Sequence, residues 1–389
     1  MPDEAVAGVQ PYKLTRDDVL RWLALLGLSI PIYATMTLSP LLNGAAMDRL
    51  QINTFEIGLI RTLEILANAA LTIGLAPRLA RFESKRLGLI GAAGVTLGAA
   101  LSAIAADPFW LLGARLIAGI GAGLTQCAIA VLMAETRSPQ RVGGSLMIPI
   151  TTCSIIAALV GGRFAQSDGL FGIFIILAAA CAAGFALAYL GPRSPAELRK
   201  AHAVQGPSTS LGALKSPYVL AAAIVFVGSS ASWAFFERKG RSLGLEPTDI
   251  SNLIALAALS AGLFGSLSVL IKDRWILPAG IAGTVLFTLA AASVPAAAAT
   301  TLFSAAYVVQ IIAFALTSNL LTAIGVRLDP SGGLAAAGRG WSTLLNAAAP
   351  AMGGALVLWG GFTPLSYLCL AAGAAAVLFL RRSRKLAPY

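Results

Sequence analysis

Long apolar runs, repeated along almost the whole chain, are the feature that most restricts what this sequence can fold into. About 20 consecutive apolar residues in a helix cross the roughly 30 Å of hydrocarbon in a bilayer. The run from Phe109 to Met133 is long enough, and eleven other runs share its character. The chain is 57% hydrophobic and 12% charged, whereas a soluble domain carries about 25% charged residues. The sequence therefore predicts an all-α membrane protein with twelve transmembrane helices.

These apolar runs form two groups of six. The first group is predicted at about 19–42, 55–76, 87–106, 108–134, 142–164 and 170–190. The second group is predicted at about 217–236, 249–271, 275–294, 298–326, 335–359 and 363–380. Residues 191–216 are rich in proline, serine and basic residues, which indicates a surface linker. The predicted organisation is a tail (1–18), a six-helix bundle (19–190), the linker (191–216), a second six-helix bundle (217–380) and a tail (381–389).

The connections between runs are short, and their basic residues indicate an orientation. A short loop containing Asp48 and Arg49 is expected after the first run. Lys and Arg are concentrated in both tails, in the linker and in the connections on the same side, which predicts that this side is cytoplasmic. We interpret the net charge of +11 as this topology signal rather than as a nucleic-acid surface. A multi-pass protein of the inner (cytoplasmic) membrane is expected, and residues 1–18 show no cleavable signal peptide.

Other classes of protein find little support in the sequence. The one histidine, His202, lies in the linker, and there is no HExxH and no GxxxxGK[ST] loop. The cysteines show no CxxC spacing and lie inside apolar runs, at Cys127, Cys153, Cys181 and Cys369. We therefore expect no enzyme, no resident metal and no cofactor.

Arg115 is a permanent charge inside the fourth predicted span. Gly119 and Gly123 follow at intervals of four and share its helix face, where small residues let a neighbouring helix approach closely. A charge inside the bilayer costs at least about 3 kcal/mol, so it usually faces a polar interior or a partner. Two interpretations stay open: a structural arginine, or a contact to substrate or coupling ion.

The second span holds further polar residues on one face, because Arg61, Glu64 and Asn68 are spaced i, i+3 and i+7. At about 1.5 Å per residue, Glu64 and Arg115 lie roughly 13 Å and 10 Å below the same membrane surface, so they can meet. One hypothesis is a static ion-pair cluster that holds spans two and four together. The other is a carboxylate whose protonation responds to whether substrate engages the arginines.

The seventh span ends in Trp233 and Glu237, and two interpretations apply there. An aromatic belt followed by solvated charges is usual at a span end. If the helix instead continues to about Gly244, Glu237 would lie within an outer cavity and could take part in coupling. Asn319 and Asn346, in the tenth and eleventh spans, are weaker candidates for substrate contact.

The glycines after Arg115 carry a family resemblance. The sequence Arg115-x-x-x-Gly119-x-Gly121-x-Gly123 resembles the arginine–glycine motif in the fourth helix of the major facilitator superfamily. The resemblance extends to the arrangement of six spans, a basic linker and six spans. It implies a secondary transporter in which two six-helix bundles move around a central site, which opens to one side of the membrane at a time.

Two loops resemble that family's conformational loop motif in part. After span two, Gly74 and the pair Lys85/Arg86 match, while Arg78 stands where an aspartate is expected and Arg81 where a second glycine is expected. The corresponding loop of the second half retains the pair Asp273/Arg274. The fifth span has Gly161-Gly162 without the proline of the family's antiporters, which counts against drug:proton antiport.

The interior charges indicate a class of solute. Two arginines face one central glutamate, and guanidinium groups match carboxylates and phosphates well, so the sequence favours a small organic anion with aromatic character. Alternatives are a uniporter, efflux of drugs or metabolites by proton antiport, and a non-transporting receptor or lipid-handling protein. The expected partners are a small-molecule solute, protons and the lipid bilayer, without nucleic acid, and the chain is expected to be a monomer.

Overall fold

A computed structural model describes residues 15–75, 78–79, 82–136, 139–192, 211–329 and 333–383. The described residues are mostly helical and contain no strand. The helices of the first half are α1 (Arg16–Leu50), α2 (Thr54–Leu75), α3 (Ser84–Ala103), α4 (Pro108–Ala134) and α5 (Pro139–Tyr189). Those of the second half are α6 (Pro217–Ile224), α7 (Val227–Trp233), α8 (Phe236–Ser242), α9 (Pro247–Gly265), α10 (Ile276–Ala296), α11 (Thr300–Leu328), α12 (Gly333–Gly360) and α13 (Thr363–Ser383).

The helices account for twelve membrane crossings. Within the described residues, ten helices are long and apolar enough to span a bilayer, and the bent pair Pro217–Trp233 and Phe236–Ser242 gives an eleventh. The twelfth lies in α5, whose 51 residues are more than twice as long as a bilayer requires. Gly169 breaks that helix with φ 57° and ψ −130°, a backbone conformation that only glycine adopts readily. Predicted spans five and six therefore lie on either side of Gly169.

Several predicted boundaries differ from the structure. The loop expected at Asp48 and Arg49 is wrong, because α1 continues to Leu50 and Gln51 ends it in the left-handed conformation. The eighth span was predicted to end at Ile271, but α9 ends at Gly265 and a short 3-10 helix, Ser266–Leu270, follows. The last turn of α1 carries Asp48, which pairs with arginines of the second half, a contact that local hydrophobicity does not encode.

Most of the predicted linker falls outside the described residues, including His202. Its last residues, Leu211–Lys215, form a 3-10 helix that leads into α6. The predicted tails also lie largely outside the described part of the chain.

Glycines bring α2, α3 and α4 into close contact. A Cβ added at Gly121 would lie 2.6 Å from the carbonyl oxygen of Gly91 and 2.6 Å from the nitrogen of Val95, both in α3. A Cβ at Gly119 would overlap the backbone carbonyl of Glu64 in α2. The alternating glycines of α4 thus pack against two different helices, and one of these contacts fixes the backbone that carries Glu64.

The two halves of the chain meet at one end of the molecule. We call the end where α1 stops and α2 starts the distal end. There Thr54 Oγ1 donates a hydrogen bond to the carbonyl of Gly354 at 2.9 Å, and the amide of Ala351 donates to Thr62 Oγ1 at 3.1 Å. One buried apolar cluster also crosses between the halves, including Leu38 of α1 and Phe236 of α8. The described structure is therefore closed at the distal end.

Candidate functional site

A buried charge cluster joins α2 and α4. Glu64 accepts hydrogen bonds from Arg61 Nη1, from Arg115 Nη2 and from Arg115 Nε, the last at 2.9 Å. All three residues are buried: Arg61 is 8% exposed, Glu64 is 6% exposed and Arg115 is 2% exposed. We call these three residues the buried ion cluster. Its geometry supports the hypothesis of an ion-pair cluster that holds spans two and four together.

Two further helices complete the surroundings of the buried ion cluster. Ser39 of α1 accepts a hydrogen bond from Arg61 Nη2 at 3.1 Å, and the guanidinium of Arg115 lies 5.5 Å from the ring centre of Phe174 in α5. The Nη1 nitrogen of Arg115 is buried and has no hydrogen-bond partner among the described residues. With two guanidinium groups and one carboxylate, the cluster carries one positive charge in excess.

Asn68 lies one turn beyond the cluster, and its side-chain oxygen accepts a hydrogen bond from Thr72 Oγ1 at 3.2 Å. Its backbone packs closely against α4, because a Cβ added at Gly123 would lie 2.9 Å from the carbonyl oxygen of Asn68. The structure therefore assigns this residue a local contact in the α2–α4 interface.

A second group of charges lies at the distal end and bridges the halves. The seventh span continues through α8 to Ser242, so Glu237 is buried, with 3% exposed. Arg238 Nη2 donates to Asp48 Oδ1 at 2.7 Å, and Arg241 Nη1 donates to Asp48 Oδ2 at 2.6 Å. Each of these arginines also lies 3.6 Å from one carboxylate oxygen of Glu237. We call Asp48, Glu237, Arg238 and Arg241 the distal charge cluster.

The backbone of α1 is shaped around this cluster. A Cβ at Gly44 would overlap the carboxylate of Glu237, and the carbonyl of Gly44 accepts a hydrogen bond from Arg238 Nη2 at 2.7 Å. One residue earlier, Asn43 Nδ2 donates to the carbonyl of Ala234 at 2.9 Å. Sequence reasoning missed the role of Asp48 because it placed that residue in a loop.

A cavity of about 640 Å³ opens beside the distal charge cluster. It is lined by the end of α1, the end of α3, the turn of α5 at Gly169, and α8. Its charged residues are Asp48, Arg49, Asp168, Glu237 and Arg241. Within the described residues, no group of three or more metal-ligand side chains is suited to hold a metal ion.

Trp233 lies below this cluster and packs between the halves. Its ring stacks on Tyr307 at 5.7 Å with 9° between the planes, and it lies 5.4 Å from Phe236. Its Nε1 donates to the carbonyl of Met36 in α1 at 3.3 Å. The expectation of a membrane-interface belt is therefore wrong for Trp233.

The two asparagines of the second half make local contacts. Asn346 accepts from Ser230 Oγ at 2.7 Å and so ties α12 to α7. Asn319 is exposed and donates to Ser268 Oγ at 3.1 Å. These hydrogen bonds do not connect Asn346 or Asn319 to the charged groups of the first half.

The loop-motif residues lie at the end opposite the distal end. Lys85 Nζ donates to the carbonyl of Gly191 at 2.6 Å, and Arg86 pairs with Glu83 at 2.8 Å. Gly74 has open space beside it, and Arg78 is exposed. Arg274 packs on the ring of Trp275 at 5.9 Å, while Arg81 and the side chain of Asp273 lie outside the described part of the chain.

Comparison with solved structures shows which known proteins share this fold. The chain has a TM-score of 0.72 to a D-xylose-proton symporter at 15% identity, with 95% of this chain and 97% of that chain covered. It has a TM-score of 0.66 to the nucleoside transporter NupG at 14% identity (94% and 98% covered). To the human organic anion transporter MFSD10 (TETRAN) the score is 0.64 at 15% identity (93% and 100% covered). These likenesses show that the chain shares the fold of these three proteins.

The family follows from the sequence itself. Residues 23–337 match the family model described as Major Facilitator Superfamily, and the chain belongs to that family. It is a multi-pass membrane protein from a family of secondary transporters rather than of enzymes. No curated protein matches the chain significantly.

Proposed function

We propose that this protein carries a small organic anion across the inner membrane by alternating access, coupled to protons. The observation that carries the proposal is the buried ion cluster, with its single excess positive charge and its unpartnered Arg115 Nη1. A buried donor without an acceptor costs about 1–3 kcal/mol, and more when it is charged. A solute carboxylate or phosphate would supply the missing acceptor, and its negative charge would take the place of that of Glu64 when Glu64 binds a proton.

The same cluster suggests how a proton would be exchanged. In the described state both arginines are occupied by Glu64. When a solute anion takes over one guanidinium, Glu64 loses part of its compensation and binds a proton from water, which keeps the charge of the site constant. Release of the solute returns the arginine to Glu64 and frees the proton. One of the structural neighbours is a D-xylose-proton symporter, which is consistent with this coupling.

Alternating access is supported by where the halves touch. Their hydrogen bonds at Thr54, Thr62 and Asp48 lie toward the distal end, so opening that side requires these contacts to break. The distribution of Lys and Arg predicts that the distal end is the outer side. On this assignment the described state is closed to the outside.

Reconstituted protein in liposomes tests the proposal directly. A pH jump is applied while small aromatic and aliphatic organic acids are screened beside lipophilic cations. We expect saturable, acid-elicited currents that Glu64→Gln and Arg115→Ala reduce at least about ten-fold, the scale of one lost charged contact. Glu56→Gln, an exposed glutamate at the start of the same helix, is the matched control and should transport like wild type.

The proposal is wrong in its site if both variants insert normally and transport like wild type. Currents elicited by cations alone would favour the second candidate, efflux by proton antiport. That candidate draws support from the distal cavity, where three carboxylates (Asp48, Asp168 and Glu237) outnumber two arginines (Arg49 and Arg241), since lipophilic cations prefer acidic surroundings. A protein that binds solutes without any saturable flux would instead be a receptor or a lipid-handling protein.

A further inference from the structure

We propose that Glu237 is a positioning residue that keeps the distal side closed, because it holds Arg238 and Arg241 in place to bridge to Asp48 of the other half. This inference rests on the proposed alternating access. It concerns the distal charge cluster and not the buried ion cluster, and it assigns Gly44 the role of providing the space that Glu237 fills.

The bridges to Asp48 are too exposed to close the molecule by themselves. Asp48, which both bridges share, is half exposed, at 50%, and the side chains of Arg241 and Arg238 are 41% and 22% exposed. Ion pairs in such positions contribute little, because water screens them and long side chains lose entropy in forming them. The bridges therefore depend on a group that holds the two arginines in position before the halves come together and Asp48 approaches.

Glu237 provides that restraint. Its side chain is only 4% exposed, and it lies 3.6 Å from a guanidinium nitrogen of each arginine. Its Oε2 has no hydrogen-bond partner among the described residues, so compensation of its charge comes from these two neighbours. The attraction works in both directions, and it keeps both guanidinium groups near α1.

The charges of the distal charge cluster cancel only when the halves are together. Two arginines on α8 face Glu237 on the same helix and Asp48 on α1. When the halves separate, Asp48 leaves with the first half, and α8 keeps two positive charges and one negative charge. A neutral side chain at Glu237 would no longer hold the two guanidinium groups at α1, and closure would weaken because the arginines lose their fixed position opposite Asp48.

Gly44 makes this arrangement sterically possible. A side chain there would occupy the position of the Glu237 carboxylate. Gly44→Ala should therefore push Glu237 out of place while leaving every charge in the protein unchanged. Glu237→Gln makes the complementary change, because it removes the charge and keeps the shape.

Cysteine labelling tests the inference without knowledge of the solute. In a variant without Cys127, Cys153, Cys181 and Cys369, a single cysteine replaces Ala234, which is 5% exposed and lies beneath the cluster. A membrane-impermeant maleimide is added to each side of the membrane in separate samples. A second reporter, Ala298→Cys, lies in the exposed connection between α10 and α11 at the distal end and identifies the side that is labelled.

We expect Glu237→Gln and Gly44→Ala each to raise distal labelling at position 234 by roughly five-fold or more, the lower range for linked sites. Gly113→Ala is the matched control, because a Cβ there meets nothing within 4 Å, and it should leave labelling unchanged. Combining the two active variants should add little beyond the larger single effect, since both act through the same arginines. Labelling of Ala298→Cys should stay constant throughout.

Unchanged labelling at position 234 in Glu237→Gln, in protein that inserts and labels normally at position 298, would overturn the inference. Additive effects of the two variants would also count against it, because they would indicate two separate structural defects. Failure of the proposed function gives a different result: wild type would show no saturable flux for any solute, whatever the labelling pattern.

Discussion

Replacing Glu64 by glutamine should destabilise this protein far more than a single conservative substitution usually does. Glu64 accepts three hydrogen bonds from Arg61 and Arg115. Glutamine keeps one acceptor oxygen but turns an amide donor toward a guanidinium donor. The substitution also raises the excess charge of the buried ion cluster from one to two.

The magnitude follows from burial. Removing one partner of a buried ion pair costs about 3–5 kcal/mol, because the other partner is left without compensation. At 1.4 kcal/mol for each factor of ten, the ratio of folded to unfolded protein falls by about two to three and a half orders of magnitude. Glu56→Gln changes an exposed residue of the same helix, and it should stay within about 0.5 kcal/mol of wild type.

Denaturant titration in bicelles, followed by tryptophan fluorescence, measures this difference, since the chain has six tryptophans. A second variant sharpens the measurement. Adding Arg61→Gln to Glu64→Gln returns the excess charge to one, so the double variant should recover part of the lost free energy of unfolding. The reasoning is refuted if Glu64→Gln unfolds within about 1 kcal/mol of wild type, or if the double variant is less stable by the full sum of both single changes.

Other positions give independent checks of packing and backbone geometry. Gly121→Ala should destabilise the α3–α4 contact by about 1–3 kcal/mol, because its Cβ would lie 2.6 Å from the carbonyl oxygen of Gly91, whereas Gly113→Ala in the same helix should be nearly neutral when both are measured by thermal unfolding. Thr54→Ala should remove about 1 kcal/mol of closure at the distal end by deleting its bond to Gly354, visible as faster distal labelling at position 234. Gly169→Ala should lower the unfolding temperature, because φ 57° with ψ −130° is a sparsely populated conformation that costs a residue with a Cβ about 1–3 kcal/mol.

The membrane spans could be predicted from the sequence because their signal is local. Length and hydrophobicity of each run decide whether it crosses the bilayer, and the predicted starts of α4 at residue 108 and α13 at residue 363 agree with the structure. The turn between spans five and six illustrates the limit. The predicted spans 142–164 and 170–190 left a gap of five residues, but the chain stays helical on both sides and departs from helical angles at Gly169 alone.

The candidate site was predictable only where its residues share a helix or a depth. Arg61 and Glu64 are three residues apart on α2, and the depth of Arg115 on α4 follows from its distance to the helix start, so their proximity could be worked out from helical rise. Asp48 offered no such route. Its partners Arg238 and Arg241 lie about half the chain away, and its place in the last turn of α1 depends on a helix that continues beyond the apolar run.

The two charge clusters differ in a way that bears on their roles. The buried ion cluster lies within one half of the chain and has an excess positive charge, which attracts an anion and which the relative movement of the halves does not balance. The distal charge cluster is divided between the halves and is neutral as a whole. When the halves meet, its charges compensate one another without a ligand. When the halves part, water can solvate them. The first arrangement suits binding of a charged solute, and the second suits a closure that forms and breaks in every cycle.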